Sequence, residues 1–333
     1  MTGRPALILI PVLALTGACT RTPRSVPTRS IVVRSQRVEV DPEPARRRVF
    51  GSLTLLAAYR LSSSHPRFGG LSSLALGPRG DTLYIVSDRG AWLSARLHLD
   101  HEGALTKLSD WRFTPIPDPL GHPVEAPYHD AESLVRLPDG SWLVGFELEH
   151  RVWRFRPDLA ARPALLSVPS RLRDAPDNGG LESMTVLSDG RLLLLCEQFT
   201  RADGTHRGWV GRPRAWAAVS FPESDHFVPT DLTTIPGRGP GAGDVLVLER
   251  AFSLLTGLRV RIRRIRAADI HPGETLKPRE VGRLEPPLLL DNFEGLAAQR
   301  HKTTGKVLLY VISDDNFSRL QQTLLFQFQI KIN

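Results

Sequence analysis

The sequence predicts an all-β protein, a β-propeller of four-stranded blades. Three observations carry that expectation. From residue 52 onward, short apolar strands alternate with turns rich in Gly, Pro and Asp. An acid opens one strand and another acid closes the next, unit after unit. The closing acids Asp88, Glu147, Glu197, Glu249 and Asp314 stand 50 to 65 residues apart, the spacing of a repeat architecture. Finally, the first strand, Leu53 to Leu61, has no partner within its own unit, while the last unit is one strand short.

Residues 1–19 have the layout of a lipoprotein-type signal peptide. One basic residue, Arg4, precedes an apolar run that ends in Leu15-Thr16-Gly17-Ala18-Cys19, with Thr16 where such boxes usually carry Leu. Cys19 is the expected lipidation site, which predicts export to the cell envelope and a membrane anchor at the N-terminus. An ordinary cleaved signal and an uncleaved anchor are the alternatives. Residues 20–49 read as a flexible basic tether, with eight Arg against three acids and no sustained period. That segment supplies +5 of the formal charge of +8, so the basic balance belongs to a tail and predicts no nucleic-acid partner.

Residues 50–333 form the propeller domain. Unit one has strands near 71–76, 82–87, 92–99 and 104–113, and unit two near 133–137, 141–146, 151–156 and 164–168. Unit three runs near 182–187, 191–196, 207–211 and 214–220, and unit four near 231–235, 244–248, 258–266 and 279–285. Asp139-Gly140 and Asp189-Gly190 occupy the same hairpin position in units two and three. The last unit offers strands near 294–299, 306–312 and 323–331, and the N-terminal strand completes it, closing a ring of five blades. A six-bladed ring is the alternative and needs a blade within 114–130 or 198–228. Arg259, Arg261 and Arg263 alternate at period two, which predicts one solvent-facing row on an outer strand.

Antiparallel pairing puts the start of one strand beside the end of the next, so openers and closers share one face of the disc. The openers are Glu132, Glu182, Asp231 and Glu294, and with the five closers they crowd the channel mouth, flanked by Asp130 and Asp315. Like charges this dense call for neutralisation, by Arg89 and Arg250, each directly after a closer, or by a divalent cation. The metal candidates are Asp88, Glu147, Glu197, Asp231, Glu249, Glu294, Asp314 and Asp315, with Ca²⁺ favoured over Mg²⁺. The catalytic candidates are Glu132, Glu182, Arg89 and Arg250. The core of the site is expected at Glu132, Glu182, Glu249, Glu294 and Asp314. His129 is a further candidate base or ligand. The opposing reading is that each acid caps a turn amide or pairs with an Arg in its own blade. Of the two cysteines, Cys196 lies in a strand and reads as a small buried hydrophobe. No Gly-x-Ser-x-Gly, Cys-x-x-Cys or His-Glu-x-x-His motif occurs.

Several short motifs, in one order over residues 50–331, resemble the bacterial family called "esterase-like activity of phytase". They are Gly69-Gly70-Leu71 with Ser87-Asp88-Arg89-Gly90, Asp130-Ala131-Glu132, Asn178 to Glu182, Leu248-Glu249-Arg250, Asp291 to Gly295 and Ser313 to Phe317. The chain has Glu132-Ser133 and Glu182-Ser183 where that family has Glu-Gly. The resemblance implies a β-propeller that hydrolyses phosphate or carboxylic esters, with Ca²⁺ dependence in some propeller phytases. The expected function is therefore a metal-dependent ester hydrolase, most readily a phosphoesterase, acting on a small-molecule substrate. A non-catalytic propeller that binds a ligand or protein, and a lactonase-like hydrolase, are the alternatives.

Overall fold

The computed structural model describes residues 26–43 and 47–332; the apolar leader and Cys19 lie outside the described residues. Five antiparallel blades form the ring, each counted from its inner strand outward. Blade one is Leu71–Leu76, Thr82–Ser87, Ala91–Leu99 and Leu105–Pro115. Blade two is Ala131–Arg136, Trp142–Phe146, Arg151–Phe155 and Ala164–Leu166. Blade three is Leu181–Val186, Leu192–Thr200, His206–Arg212 and Ala215–Phe221. Blade four is Val228–Thr234, Val245–Ser253, Gly257–Ile265 and Arg279–Leu284. Blade five is Asn292–Arg300, Val307–Asp314 and Thr323–Ile330, completed on its outer side by Leu53–Ser62. The N-terminal strand pairs Ala58 with Phe326 and Leu61 with Thr323, and that pairing closes the ring.

Each junction between adjacent blades holds its own apolar cluster, because a blade is a sheet covered on both faces and its inward residues must meet the next sheet. Trp92 of blade one packs among Trp142 and Phe155 of blade two, while Phe326 and Phe328 of blade five meet Leu246 and Leu248 of blade four. The hairpin turns follow the sequence reading. Gly140 and Gly190 take positive φ, and Asp139 and Asp189 accept the amides two residues on.

The stretch expected to be a tether is not free of pairing. Arg29–Ser30 joins the outer edge of blade one, and Arg34–Arg37 joins Leu53–Ser62 on the outer edge of blade five. Ile31 and Val33 pack on the cluster between those blades, and Val40 is buried beside blade four. Arg, Pro and Ser dominate the composition, yet a few apolar side chains suffice to lay the segment across the seam of the ring.

Three levels of side chains follow one another down the inner strands. At the second level Ser73, Ser133, Ser183, Asp231 and Gly295 are equivalent by register. Asp231 reaches past Gly295, accepting the Leu296 amide at 2.8 Å and the Ser73 hydroxyl at 2.9 Å, two blades away. A Cβ at Gly295 would lie 2.7 Å from Ile312 and 3.2 Å from Ser73, so only glycine leaves that passage open. Replacing Asp231 with Ala strands the Leu296 and Leu232 amides and the Ser73 hydroxyl in a buried site. The expected cost is about 3 kcal/mol in denaturant unfolding, and a loss below about 1 kcal/mol would remove this bridge from the account of ring stability.

Candidate active site

A bulge interrupts the pairing of each inner strand with its neighbour at the same place. The skipped residues are Ser72, Glu132, Glu182, Thr230 and Glu294 in blades one to five. Bulges re-aim side chains, and here they turn three glutamates toward the channel. Glu132 of blade two feels the charge of Glu294 in blade five, which is not its neighbour in the ring, so the two carboxyls face the channel within electrostatic reach of each other.

The closing positions form the rim beside them. Asp88, Glu147 and Glu197 donate their amides to the carbonyls of Gly70, Asp130 and Gly180, and the equivalent residues in blades four and five are Arg250, opposite Val228, and Asp314, opposite Asn292. Seven carboxyl groups, Asp88, Glu132, Glu147, Glu182, Glu197, Glu294 and Asp314, therefore share the mouth, and four of them, Glu182, Glu197, Glu294 and Asp314, interact with the guanidinium of Arg250. Arg250 donates to Glu197 at 3.0 Å and to the Asn292 side-chain oxygen, and lies 3.5 Å from Glu294. Asn292 in turn donates to Glu294 at 2.7 Å. Gly70 is what lets Asp88 sit so close to the chain. It adopts φ +60°, and a Cβ there would fall 2.0 Å from the Asp88 carboxylate.

Crowding shows in the proton affinities. Burial, then the charges of Asp314 and Asp130, pushes Asp88 up to about 7. Burial lifts Glu147 to about 7, even though Glu182 and the Gly180 amide hydrogen-bond to it. Asp314 is raised to about 6, again by burial first and then by Asp315 and Asp291. Glu132, Glu182 and Glu294 are held well above the usual carboxylate range by burial first, and then by neighbouring carboxyls: Glu182 and Asp130 for Glu132, Glu147 and Glu197 for Glu182, Asp314 and Glu197 for Glu294. Burial alone would lower Arg250, but Glu294, Glu197 and Glu182 outweigh it and hold the guanidinium charged. Glu147 and Glu182 act on each other in opposite senses, Glu182 easing the ionisation of Glu147 and Glu147 opposing that of Glu182, so Glu182 is the one of the pair that holds a proton more tightly.

Four residues expected on the rim are placed differently. Glu249 is one position short of the closing site, so alternation turns it to the other face of its strand. There it is fully buried and clamped by Arg261 and Arg263, which are also buried and do not form the solvent-facing row predicted for them. Asp231 stands one residue beyond the bulge, in the bridge to Ser73, and Thr230 holds the opening position instead. Asp315 spends its oxygens on the Gly70 and Phe317 amides and the Thr323 hydroxyl, tying a loop down. For Asp315, the reading that an acid caps a turn amide is the one that fits, while Asp231 serves a bridge between blades rather than a turn. Arg89 is exposed and lies flat on Phe317 at 3.4 Å, at the outer edge of the mouth. His129 donates to the Asp88 carbonyl at 2.8 Å, so it braces the rim. Cys196 is fully buried, and burial pushes its thiol up out of reactive range. Asn292 and Thr230 were missed by sequence reasoning because neither is ionisable.

The donor set at the mouth is carboxylate oxygen. The nearby imidazoles of His206 and His150 bond to the carbonyls of Glu197 and Pro176. Among the described residues no group of three or more His, Cys, Asp or Glu side chains is arranged to hold a metal ion.

A family model described as "Phytase-like: Esterase-like activity of phytase" matches residues 66–317. The chain belongs to this family. Its matched region begins just before Gly69-Gly70 and ends at Phe317, so it takes in every carboxyl of the mouth. No curated protein matches the phytase-like chain. Among solved structures it is similar to a virginiamycin B lyase from Staphylococcus aureus, with 9% identity and TM-score 0.40 over 82% of this chain and 70% of that one. It is also similar to a gluconolactonase from Xanthomonas campestris, with 11% identity and TM-score 0.41 over 92% and 99% of the two chains. A chain of a nidogen/laminin complex is as near, with 12% identity and TM-score 0.41 over 79% and 87%. Likeness at this level concerns architecture alone.

Proposed function

We propose that this phytase-like propeller is a metal-dependent hydrolase of ester bonds, with phosphate esters as the preferred substrates, acting at the acidic mouth. The supporting observation is the gathering of seven carboxyls from four blades at one mouth, with Arg250 set among Glu182, Glu197, Glu294 and Asp314. In this reading Glu182 and Glu147 manage the proton. Their ionised member accepts a proton from water as its oxygen bonds to the ester centre, and the proton then passes to the departing alcohol oxygen as the ester bond breaks. Arg250 balances the negative charge that grows on the ester's other oxygens, held in aim by Glu197 and Asn292. Arg89, flat on Phe317 at the edge, meets the outer part of the substrate.

Oxygen donors in this number fit a hard cation, and Ca²⁺ tolerates irregular carboxylate sets better than Mg²⁺. Asp88, Glu132, Glu147, Glu182, Glu294 and Asp314 are the residues that would have to draw together to hold it, since among the described residues no three of them are arranged as a ligand set. A bound divalent ion supplies Lewis acidity and lowers the pKa of water. Export and anchoring through Cys19 belong to the same proposal and place the mouth outside the cytoplasm. Purified protein assayed on generic phosphomonoesters, acyl esters and lactones, with Ca²⁺, Mg²⁺ or chelator, tests it. The expected result is metal-dependent phosphomonoester turnover that falls at least about 100-fold in Glu182→Gln. Metal that raises the melting temperature while no ester turns over would favour a ligand-binding propeller instead, and lactone turnover alone would move the substrate class.

A further inference from the structure

The channel does not run through the molecule. Below the bridge of Asp231 comes a third level, Leu74, Leu134, Met184, Leu232 and Leu296, one side chain per blade and none more than 3% exposed. This apolar floor separates the acidic mouth from the opposite end, where the first hairpins of all five blades enclose a cavity of about 930 Å³. That volume lies within the range that takes a small organic ligand.

The chemistry of this cavity is the reverse of the mouth's. Its floor and inner walls are aliphatic, while its rim carries Arg79, Arg136, Arg300, His301 and Lys302. Asp81 is the one acid among the described residues that line it, and Arg79 already neutralises it at 3.0 Å. Arg136 lies against the Trp142 ring, and Arg300 bonds to the carbonyls of Pro236, Gly305 and Pro240. Neither these two nor Lys302 takes part in an ion pair among the described residues, so the rim has positive charge to offer above an apolar base.

We infer that this far cavity is a second binding site, for an organic anion with an apolar body such as a medium-chain carboxylate. The acyl chain lies on the aliphatic floor, and the carboxylate meets the guanidinium and ammonium groups of the rim. The site is closed off from the acidic mouth and stands independently of what that mouth does.

Calorimetric titration of the full chain with dodecanoate is expected to give saturable binding with about one site. Dodecyltrimethylammonium and inorganic phosphate should fail to match it, since one carries the opposite charge and the other lacks the apolar body. The double variant Arg136→Glu, Lys302→Glu should weaken dodecanoate at least about tenfold with its melting temperature kept. Glu182→Gln, at the other mouth, should leave it unchanged. Photocrosslinking of the unmodified chain with a diazirine-bearing carboxylate should label peptides within 74–81 and 296–303. No dodecanoate binding, equal binding of the cationic detergent, indifference to the double variant, loss on Glu182→Gln, or labels elsewhere would each overturn the assignment.

Discussion

A Glu249→Ala variant is expected to lose about 3–5 kcal/mol of stability, the penalty for leaving buried charge without its partner. Glu249 is fully buried on the second strand of blade four and pairs directly with Arg261 on the third. Arg261 donates to both carboxylate oxygens at 2.9 and 3.1 Å, and Arg263 does so at 2.5 and 2.7 Å. The same guanidinium groups reach on to the Ser224 and Pro222 carbonyls and lie over Phe227 and Phe221. Without Glu249, two cations stay in a site that burial already makes hostile to charge, as the lowered proton affinity of Arg263 records. In a domain of this size the loss corresponds to a fall in melting temperature of roughly 6–20 °C. Thermal unfolding followed by circular dichroism reads it directly, and a fall under about 2 °C would refute the clamp. Glu249→Gln keeps the shape of the side chain and should leave any Ca²⁺-induced stabilisation intact. If that stabilisation vanished in a folded Glu249→Gln protein, Glu249 would return to the list of ligands.

In chelator, the melting temperature should rise as pH falls from about 8 to about 5, the opposite of ordinary acid denaturation. The sign follows from the raised carboxyls. Asp88 and Glu147 near 7 and Asp314 near 6 bind protons in the folded state at pH values where the unfolded chain has already released them. Where the native state holds more protons, stability falls as pH rises. The destabilisation is therefore absent below the unfolded carboxylate range and complete above about 7. A net linkage of only ~2 kcal/mol moves the melting temperature by roughly 4–8 °C. Added Ca²⁺ should flatten this slope by stabilising the ionised form at neutral pH, since a ligand bound to the native state alone stabilises it. A melting temperature that stays level or drops on acidification over this window would show that the mouth carboxyls are already compensated.

The effects of these variants divide the site in a way that the sequence could not. Local order was legible. Apolar alternation, Asp-Gly turns and the unpaired first strand encode strands and hairpins through neighbours a few residues apart, and the five-bladed ring follows from them. The recurrence of Glu132, Glu182, Glu294 and Asp314 at strand ends was legible for the same reason, because each blade repeats one local pattern. What the sequence reading assigned wrongly was the phase of blade four, where Thr230-Asp231 and Glu249-Arg250 each offer two adjacent polar residues for one position and the reading favours the acid in both.

A shift of one residue in a strand exchanges the two faces of a sheet, and only the partner strand fixes which residue the bulge passes over. Pairing of Pro229 with Glu249 settles it, placing Arg250 over the channel and burying Glu249 against Arg261 and Arg263. The strap of residues 26–43 was hidden likewise, since its few apolar side chains acquire meaning only beside the seam they cover. The sequence by itself determined the four-stranded blades and most of the acids gathered on one face, and it favoured five blades over six. Tertiary structure alone decided which acids look into the channel, which are tied to amides or arginines, and that an apolar floor divides the channel in two, because each depends on contacts between residues far apart in the chain.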